Sequence, residues 1–478
     1  MKVTTTANMR RKMAGTNPNH FDDDAAERPH EAGASARQQS PQSHAETADS
    51  AAGLGRRDLL FGAGGLALGA AATWGIGGWR HAGTPAPGST SNTLAGAGEP
   101  LPGTSRAVQG AGSAPGVGIG EYGSATIDCH GPNQAGIATP PQAFLVLAAF
   151  DLLPHTSATH MSWLMQLWTE DIERMTAGYP AMTDTEPELA HYPASLTVTV
   201  GFGAPLFDKL SLTDKRPSWL APLPAYPIDQ LQDEWSGGDV VVQVCADDPT
   251  TATHAARLLA KEAADYLTPR WTQFGSRNAP GVTQPGATMR NHFGQLDGTR
   301  NPDPAEEPNL IFRTDDQPWL DGGSTMVVRR IHMNLDGWDE LDIPARDTVL
   351  GRFQKSGAPL SGQQEFDEPD LEAKNSLGFP LIDVAAHIRR ARTDDGSQRI
   401  LRRPYNYTES PAAGQISNVG LVFIAFQADL EHQYLPLQQQ LAQLDLLNQW
   451  TTPIGSAVFA IPRGFASGEY LAQELFAG

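Results

Sequence analysis

The run Gln142-Ala-Phe-Leu-Val-Leu-Ala-Ala-Phe-Asp-Leu152 decides the fold. An unbroken apolar run of this length reads as a strand buried on both faces. A helical segment follows over 160–177. Gly420-Leu-Val-Phe-Ile-Ala-Phe-Gln-Ala-Asp-Leu430 repeats the pattern, and a second helix is predicted over 431–448. Between and beyond them, strands are predicted at 195–203, 239–245, 324–332 and 456–461, and helices at 253–266 and 468–476. Strand, helix, strands, helix, strand is the order of a ferredoxin-like unit, with helices on one face of an antiparallel sheet. The sequence therefore predicts an α+β body of two duplicated ferredoxin-like units, over 125–290 and 291–478. The duplication is visible in pattern and hardly in residue identity.

The 478 residues carry 34 Lys+Arg against 54 Asp+Glu, a formal charge of −20. Such a surface repels phosphate backbones, which argues against nucleic acid as a partner. Only two cysteines occur, Cys129 and Cys245, far apart and in no metal-like spacing. No Cys-x-x-Cys-His is present, so covalent haem attachment is excluded.

The first 55 residues are polar and poor in aromatics, the composition of a disordered extension. Gly55-Arg56-Arg57-Asp58-Leu59-Leu60 follows, and behind it an uncharged Gly/Ala-rich run reaches Trp79. Twin arginines before a weakly apolar segment read as a twin-arginine export signal over 56–80. That predicts use of the export machinery and a periplasmic or extracellular location. A Gly/Pro/Ser-rich linker is predicted over 81–124.

Two segments carry chemistry. Asn291-His-Phe-Gly-Gln-Leu-Asp-Gly-Thr-Arg-Asn-Pro302 sets Asp297 in a turn between Gly294 and Gly298, where glycine lets backbone approach a bulky ligand. Asp-Gly is also a common turn dipeptide, so this segment alone decides little. In the second, His387 ends an apolar stretch that contains Asp383, and Arg402-Arg403 follows Ile400-Leu401. Of the two arginines, one is expected to point inward and the other to meet solvent. A buried guanidinium needs an anion or a site that demands positive charge.

With these residues the chain resembles the dye-decolourising peroxidases, of the exported class that includes the deferrochelatases. The resemblance spans the whole body. It includes His130-Gly-Pro-Asn-Gln-Ala-Gly-Ile-Ala-Thr-Pro140, Val244-Cys-Ala-Asp-Asp248 and Gly-x-x-Asp-Gly at 294–298. It continues through Val328-Arg-Arg-Ile331, Gly351-Arg-Phe-Gln-Lys-Ser-Gly-Ala-Pro-Leu360 and His387-Ile-Arg389. Arg402-Arg403-x-Tyr405-x-Tyr407, Pro453-Ile-Gly455 and Pro462-x-Gly464 complete it. Pro404 departs from the family, which usually has glycine after the arginine pair.

The resemblance implies a haem b held non-covalently in the second unit, with His387 as proximal iron ligand. A carboxylate is then required on the other ring nitrogen. Asp445 is the candidate, with Asp429 and Asp383 as alternatives. It also implies that Asp297 is the distal acid/base, and that Arg402 stabilises charge on the departing hydroxide during cleavage of hydrogen peroxide. A carboxylate base implies an acidic activity optimum, bounded below by its protonation. Gly298, Thr299 and Arg300 are expected along the haem edge, and Arg392, Thr393 and Asp394 at the propionates. Phe423 reads as distal wall or as ordinary core. Bulky electron donors such as dyes or phenols could not enter a pocket sized for peroxide. Tyr405, Tyr407, Trp338 and Trp450 could relay their electrons, although most aromatics are simply packed. The alternative role is release of iron from haem. A homo-oligomer is expected if sheet faces are exposed.

Overall fold

The computed structural model describes residues 123–476. The segments expected at 1–55, 56–80 and nearly all of 81–124 lie outside them. Among the described residues no helix is long and apolar enough to cross a membrane.

The first half runs β1 (Phe144–Leu152), α1 (Ala158–Thr176), β2 (Thr197–Phe202), α2 (Ala204–Lys209), β3 (Val240–Ala246), α3 (Pro249–Glu262) and β4 (Leu267–Ser276). β1 is central and pairs antiparallel with β3 and β4, and β2 pairs with β3. Alternation explains the unbroken apolar run at 144–152. Val146, Ala148 and Phe150 face the helices, with Met161, Trp168 and Leu258 in the same core. Leu145, Leu147 and Ala149 face a second core, shared with Val422, Ile424 and Phe426 of the other half. Successive side chains point to opposite faces of a strand, and here neither face meets water.

The second half opens with a hairpin of β5 (Met289–Arg290) and β6 (Leu296–Asp297). It continues with β7 (Ser324–Met333), α4 (Leu335–Trp338), α5 (Ile343–Leu350), α6 (His387–Arg390), β8 (Leu401–Arg402) and β9 (Tyr405–Glu409). β10 (Asn418–Gln427), α7 (Leu435–Leu444), β11 (Thr451–Ile461) and α8 (Gln473–Phe476) complete it. β7 lies between β10 and β11, and β10 carries β8 and β9 on its other edge. The halves meet through single pairs, Phe202 with Ala460 and Ser276 with Asn406. The long strands thus close on themselves in one nine-stranded sheet, ordered β7-β11-β2-β3-β1-β4-β9-β10-β8 with β7 also on β10.

The strands and helices expected from sequence recur in the structure, joined by short elements that were not expected (α2, α4, α5, α6, β5, β6, β8 and β9), and with further differences. The helix expected over 431–448 is broken: a π turn at Leu430–Tyr434 precedes α7, and Asp445 stops α7 in an extended conformation (ψ 123°). The helix expected over 468–476 shrinks to Gln473–Phe476. Strand β4 had no expected counterpart. Its sequence, LTPRWTQFGS, is half exposed and holds a proline, so no apolar period marks it. Both cysteines are buried and free.

In the first half, Asp171 and Glu262 form a buried carboxyl pair. Asp171 Oδ2 and Glu262 Oε2 find no donor. Burial, followed by the Asp171 carboxyl, pushes Glu262 up to about 8. A shared proton satisfies both oxygens. Because the folded-state value lies above the ordinary one, the folded form holds the extra proton between about pH 4.5 and pH 8. Stability is then full below that window and declines as pH rises through it. Thermal melts should show wild type losing roughly 2 °C or more from pH 5 to 8, and Glu262→Gln losing less.

Candidate active site

A cavity of about 210 Å³, open to solvent at its mouth, lies against the second half of the sheet. Its apolar walls come from Ile331, Met333, Leu421, Phe423, Leu437 and Leu441. The strand register explains the wall: on β10, residues 422, 424 and 426 face the inner core, which leaves Leu421 and Phe423 on the cavity side.

His387 opens the four-residue helix α6 and lines this cavity. Its Nδ1–H donates to Asp445 Oδ2 at 2.6 Å. The other Asp445 oxygen accepts the Leu447 N–H at 2.9 Å, and the Leu446 N–H donates to the Ala385 carbonyl at 2.9 Å. Both partners are therefore locked to the same short segment. Close approach of α5 to α6 also requires Gly351: it has φ +74°, and a Cβ there would lie 2.3 Å from Ile388 Cγ2. Burial opposes charge on the His387 ring, but the Asp445 carboxylate outweighs it and raises the pKa. With Nδ1 occupied, the ring can offer only Nε2 to a ligand. The alternatives to Asp445 are used elsewhere. Asp429 accepts the His432 N–H, and Asp383 accepts the Ala385 N–H.

Asp297, buried at the end of β6, lines the same cavity. Its Oδ1 accepts from Arg402 Nη1 at 2.9 Å. Thr299 and Arg300 also line the cavity, as do Arg392 and Thr393. Gly298 and Asp394 do not. Gly298 turns the chain at φ +131°, and a Cβ there would meet Thr288 Cγ2 at 3.6 Å and Asn301 Nδ2 at 3.8 Å, ordinary contacts, so it is the turn that requires glycine. Gly294, at φ +78°, abuts Gln354, so it too does not face the cavity. Asp394 is exposed to water because its loop swings outward there. Of the arginine pair, Arg403 is the one that points inward: strand alternation sends it to the opposite face from Arg402, where it is 1% exposed and bonded to the Thr139 carbonyl and Gln142 Oε1. Tyr405, Tyr407 and Trp338 are buried core and Trp450 is half-buried, packed edge-on against Trp338 at 5.3 Å.

Sequence reasoning passed over Arg352 and Arg399, which add to a ring of guanidiniums at the cavity with Arg300, Arg392 and Arg402. Burial, with Arg392 and Arg402 nearby, pushes Arg352 down to about 10. Among the described residues Arg352 bonds to the carbonyls of Gly357 and Glu365. Its presence in Gly351-Arg352-Phe353 was the available signal. Arg402 pairs with Asp297, Arg392 and Arg300 with Glu368, and Arg399 with Glu307, whereas Arg352 has no carboxylate partner among the described residues and is the cation an anionic ligand would satisfy. A flat apolar slot, a cationic rim and a carboxylate-backed imidazole together fit haem, whose propionates would meet the arginines.

These features define a haem-dependent oxidoreductase. Comparison with known proteins gives the family. Residues 134–277 match "Dyp-type peroxidase, N-terminal" and residues 288–466 match "Dyp-type peroxidase, C-terminal". The chain is 38% identical over 367 residues to the dye-decolorizing peroxidase of Thermobifida fusca (strain YX), covering 73% of this chain and 85% of that protein. It is 32% identical over 368 residues to the deferrochelatase of Escherichia coli (strain K12), covering 72% and 86%. Among solved structures, a DyP-type peroxidase from Cellulomonas bogoriensis is 51% identical with TM-score 0.73, covering 75% of this chain and 99% of that one. Ferric DtpA from Streptomyces lividans is 38% identical with TM-score 0.72, covering 76% and 100%. The chain belongs to the DyP-type peroxidase family and is a haem peroxidase.

Asp445→Asn would keep a hydrogen bond to His387 but lose the negative charge. Loss of the carboxylate behind a metal-binding histidine costs about 10–100-fold in metal affinity or activity. Haem titration followed by absorbance should show weaker binding in this variant.

Proposed function

We propose that Asp297 moves the proton and Arg402 stabilises the departing oxygen when hydrogen peroxide is reduced, with His387 holding the iron. Bound haem supplies the electrons that reduce peroxide. The chain's own part is positional. Asp297 Oδ2, which no donor among the described residues reaches, accepts the proton of the incoming peroxide and returns it to the oxygen that leaves. Arg402 faces that oxygen with a fixed positive charge. Thr299, Arg300, Arg392 and Thr393 would line the haem edge, with Arg352 and Arg399 beside the propionates. The observation that carries this reading is the placement of both pairs, His387 with Asp445 and Asp297 with Arg402, on one cavity.

The donor is read as a dye, a phenol or another bulky organic molecule. A second reading, release of iron from haem, is favoured by the similarity to proteins named deferrochelatase. The purified haem-loaded protein separates them. Steady peroxide-dependent decolourisation of an anthraquinone dye supports the peroxidase. Metal-free porphyrin fluorescence growing without peroxide supports iron release.

The two halves are further read as duplicated ferredoxin-like units divided near residue 290. Their shared order, β2-β3-β1-β4 and β11-β7-β10-β9, supports this. Arg56-Arg57 and the uncharged run behind them support export by the twin-arginine route to the periplasm or beyond. A homo-oligomer would have to use surfaces other than β1 and β3, whose faces are both buried.

A further inference from the structure

One side chain joins the Asp297 turn to the Arg402 strand. Asn301 follows Asp297 by four residues, and its N–H closes the turn on the Gly298 carbonyl at 2.9 Å. Its carboxamide then reaches across to β8. Nδ2 donates to the Arg402 carbonyl at 2.7 Å, and Oδ1 accepts the Arg402 N–H at 3.1 Å. A single amide thus takes both backbone groups of Arg402, as a neighbouring strand would. The flanking residue pairs the other way: the Arg403 N–H donates to the Ile424 carbonyl at 2.8 Å. Strand β8 is only two residues long, and Pro404 follows Arg403, so no amide donor continues the ladder at 404. The Asn301 amide is therefore the only hydrogen-bond partner of the Arg402 backbone among the described residues.

The consequence concerns geometry at the reacting end. Asp297 and Arg402 are 105 residues apart in sequence, and their side chains meet at 2.9 Å. The turn fixes Asp297 relative to Asn301, and the Asn301 amide fixes Arg402 relative to the turn. We propose that Asn301 is a positioning residue, a spacer that sets where the Arg402 guanidinium stands relative to Asp297. The proposal rests on the reading of Arg402 as the group facing the departing oxygen. Asn301 touches no reacting atom; it acts through Arg402 alone.

The test is a double-mutant cycle on the haem-loaded enzyme. Displacement of a positioned group by about 1 Å costs up to about 100-fold, so Asn301→Ala should lower kcat/KM for hydrogen peroxide by about 10- to 100-fold. The KM for the dye should stay near wild type and the Soret band should persist, because His387 and the other arginines at the cavity are untouched. In an Arg402→Leu background, Asn301→Ala should cost less than about twofold further, since there is no guanidinium left to place. Asn301→Asp keeps the volume and the acceptor but lacks the donor when ionised, and should also lose activity should the alanine variant fold poorly. Wild-type turnover in both Asn301 variants overturns the proposal. So does an equal fold-loss from Asn301→Ala with and without Arg402. Full activity of Arg402→Leu would instead remove the reading of Arg402, and a loss in Asn301→Ala beside it would show Asn301 acting elsewhere.

Discussion

Asp297→Ala is expected to lower kcat/KM for hydrogen peroxide by roughly 10²–10⁴-fold, the contribution of a positioned general acid–base, while the Soret band persists. The carboxylate is 7% exposed and held from one side by Arg402. Its Oδ1 is committed to the guanidinium, which leaves Oδ2 to take and return a proton. Asp297→Asn tests the chemistry apart from the shape: an amide can still contact Arg402 but cannot accept the proton, so it should lose nearly as much as alanine. Arg402→Leu should act in the same range, and the double variant should lose less than the product of the two, because the pair works as a unit. Stopped-flow mixing with peroxide reads the step directly. A rate in Asp297→Asn within twofold of wild type would place the base elsewhere.

How much of this was legible in the sequence depends on what each residue faces. The runs at 144–152 and 418–427 were readable because both faces of those strands are buried, so their composition is unbroken. β4 was not, since its exposed positions carry Pro269, Arg270 and Thr272 and erase the period. The catalytic residues were readable only through resemblance. Nothing in the spacing of Asp297 and Arg402 states that a hairpin and a two-residue strand bring them to 2.9 Å. Asp445 could not be separated from Asp429 and Asp383 by sequence. The structure separates them by reach: each caps a backbone N–H with Oδ1, but only Asp445 also places Oδ2 2.6 Å from His387 Nδ1 among the described residues. The adjacent arginines told of one inward and one outward partner, but which was which depended on strand alternation, which puts Arg403 inside and Arg402 on the cavity. Gly298 was ambiguous for another reason: a turn that needs positive φ and a backbone that needs room for a ligand both select glycine.

His387→Ala should produce a folded protein that purifies without a Soret band, the largest effect expected here. Three features hold haem in this cavity: apolar walls, the arginine rim and the imidazole. Walls and rim together give affinity for any flat dianion, so a trace of porphyrin would still bind. On the reading proposed above, only the imidazole would bond the metal. Its removal should therefore cost more than the roughly 10–100-fold expected of its carboxylate partner, and haem titration should show Asp445→Asn between wild type and His387→Ala. The fold should survive, since His387 sits at the start of a four-residue helix and lines a cavity instead of filling a core. Far-ultraviolet circular dichroism checks that. Rescue adds a sharper discrimination. The space left by the ring can admit free imidazole, which should restore a Soret band in His387→Ala in a concentration-dependent way. A wild-type band in the unsupplemented variant would mean that another residue binds the iron. A band lost but not restored, in a protein with altered circular dichroism, would mean that His387 holds the cavity's shape and not the metal.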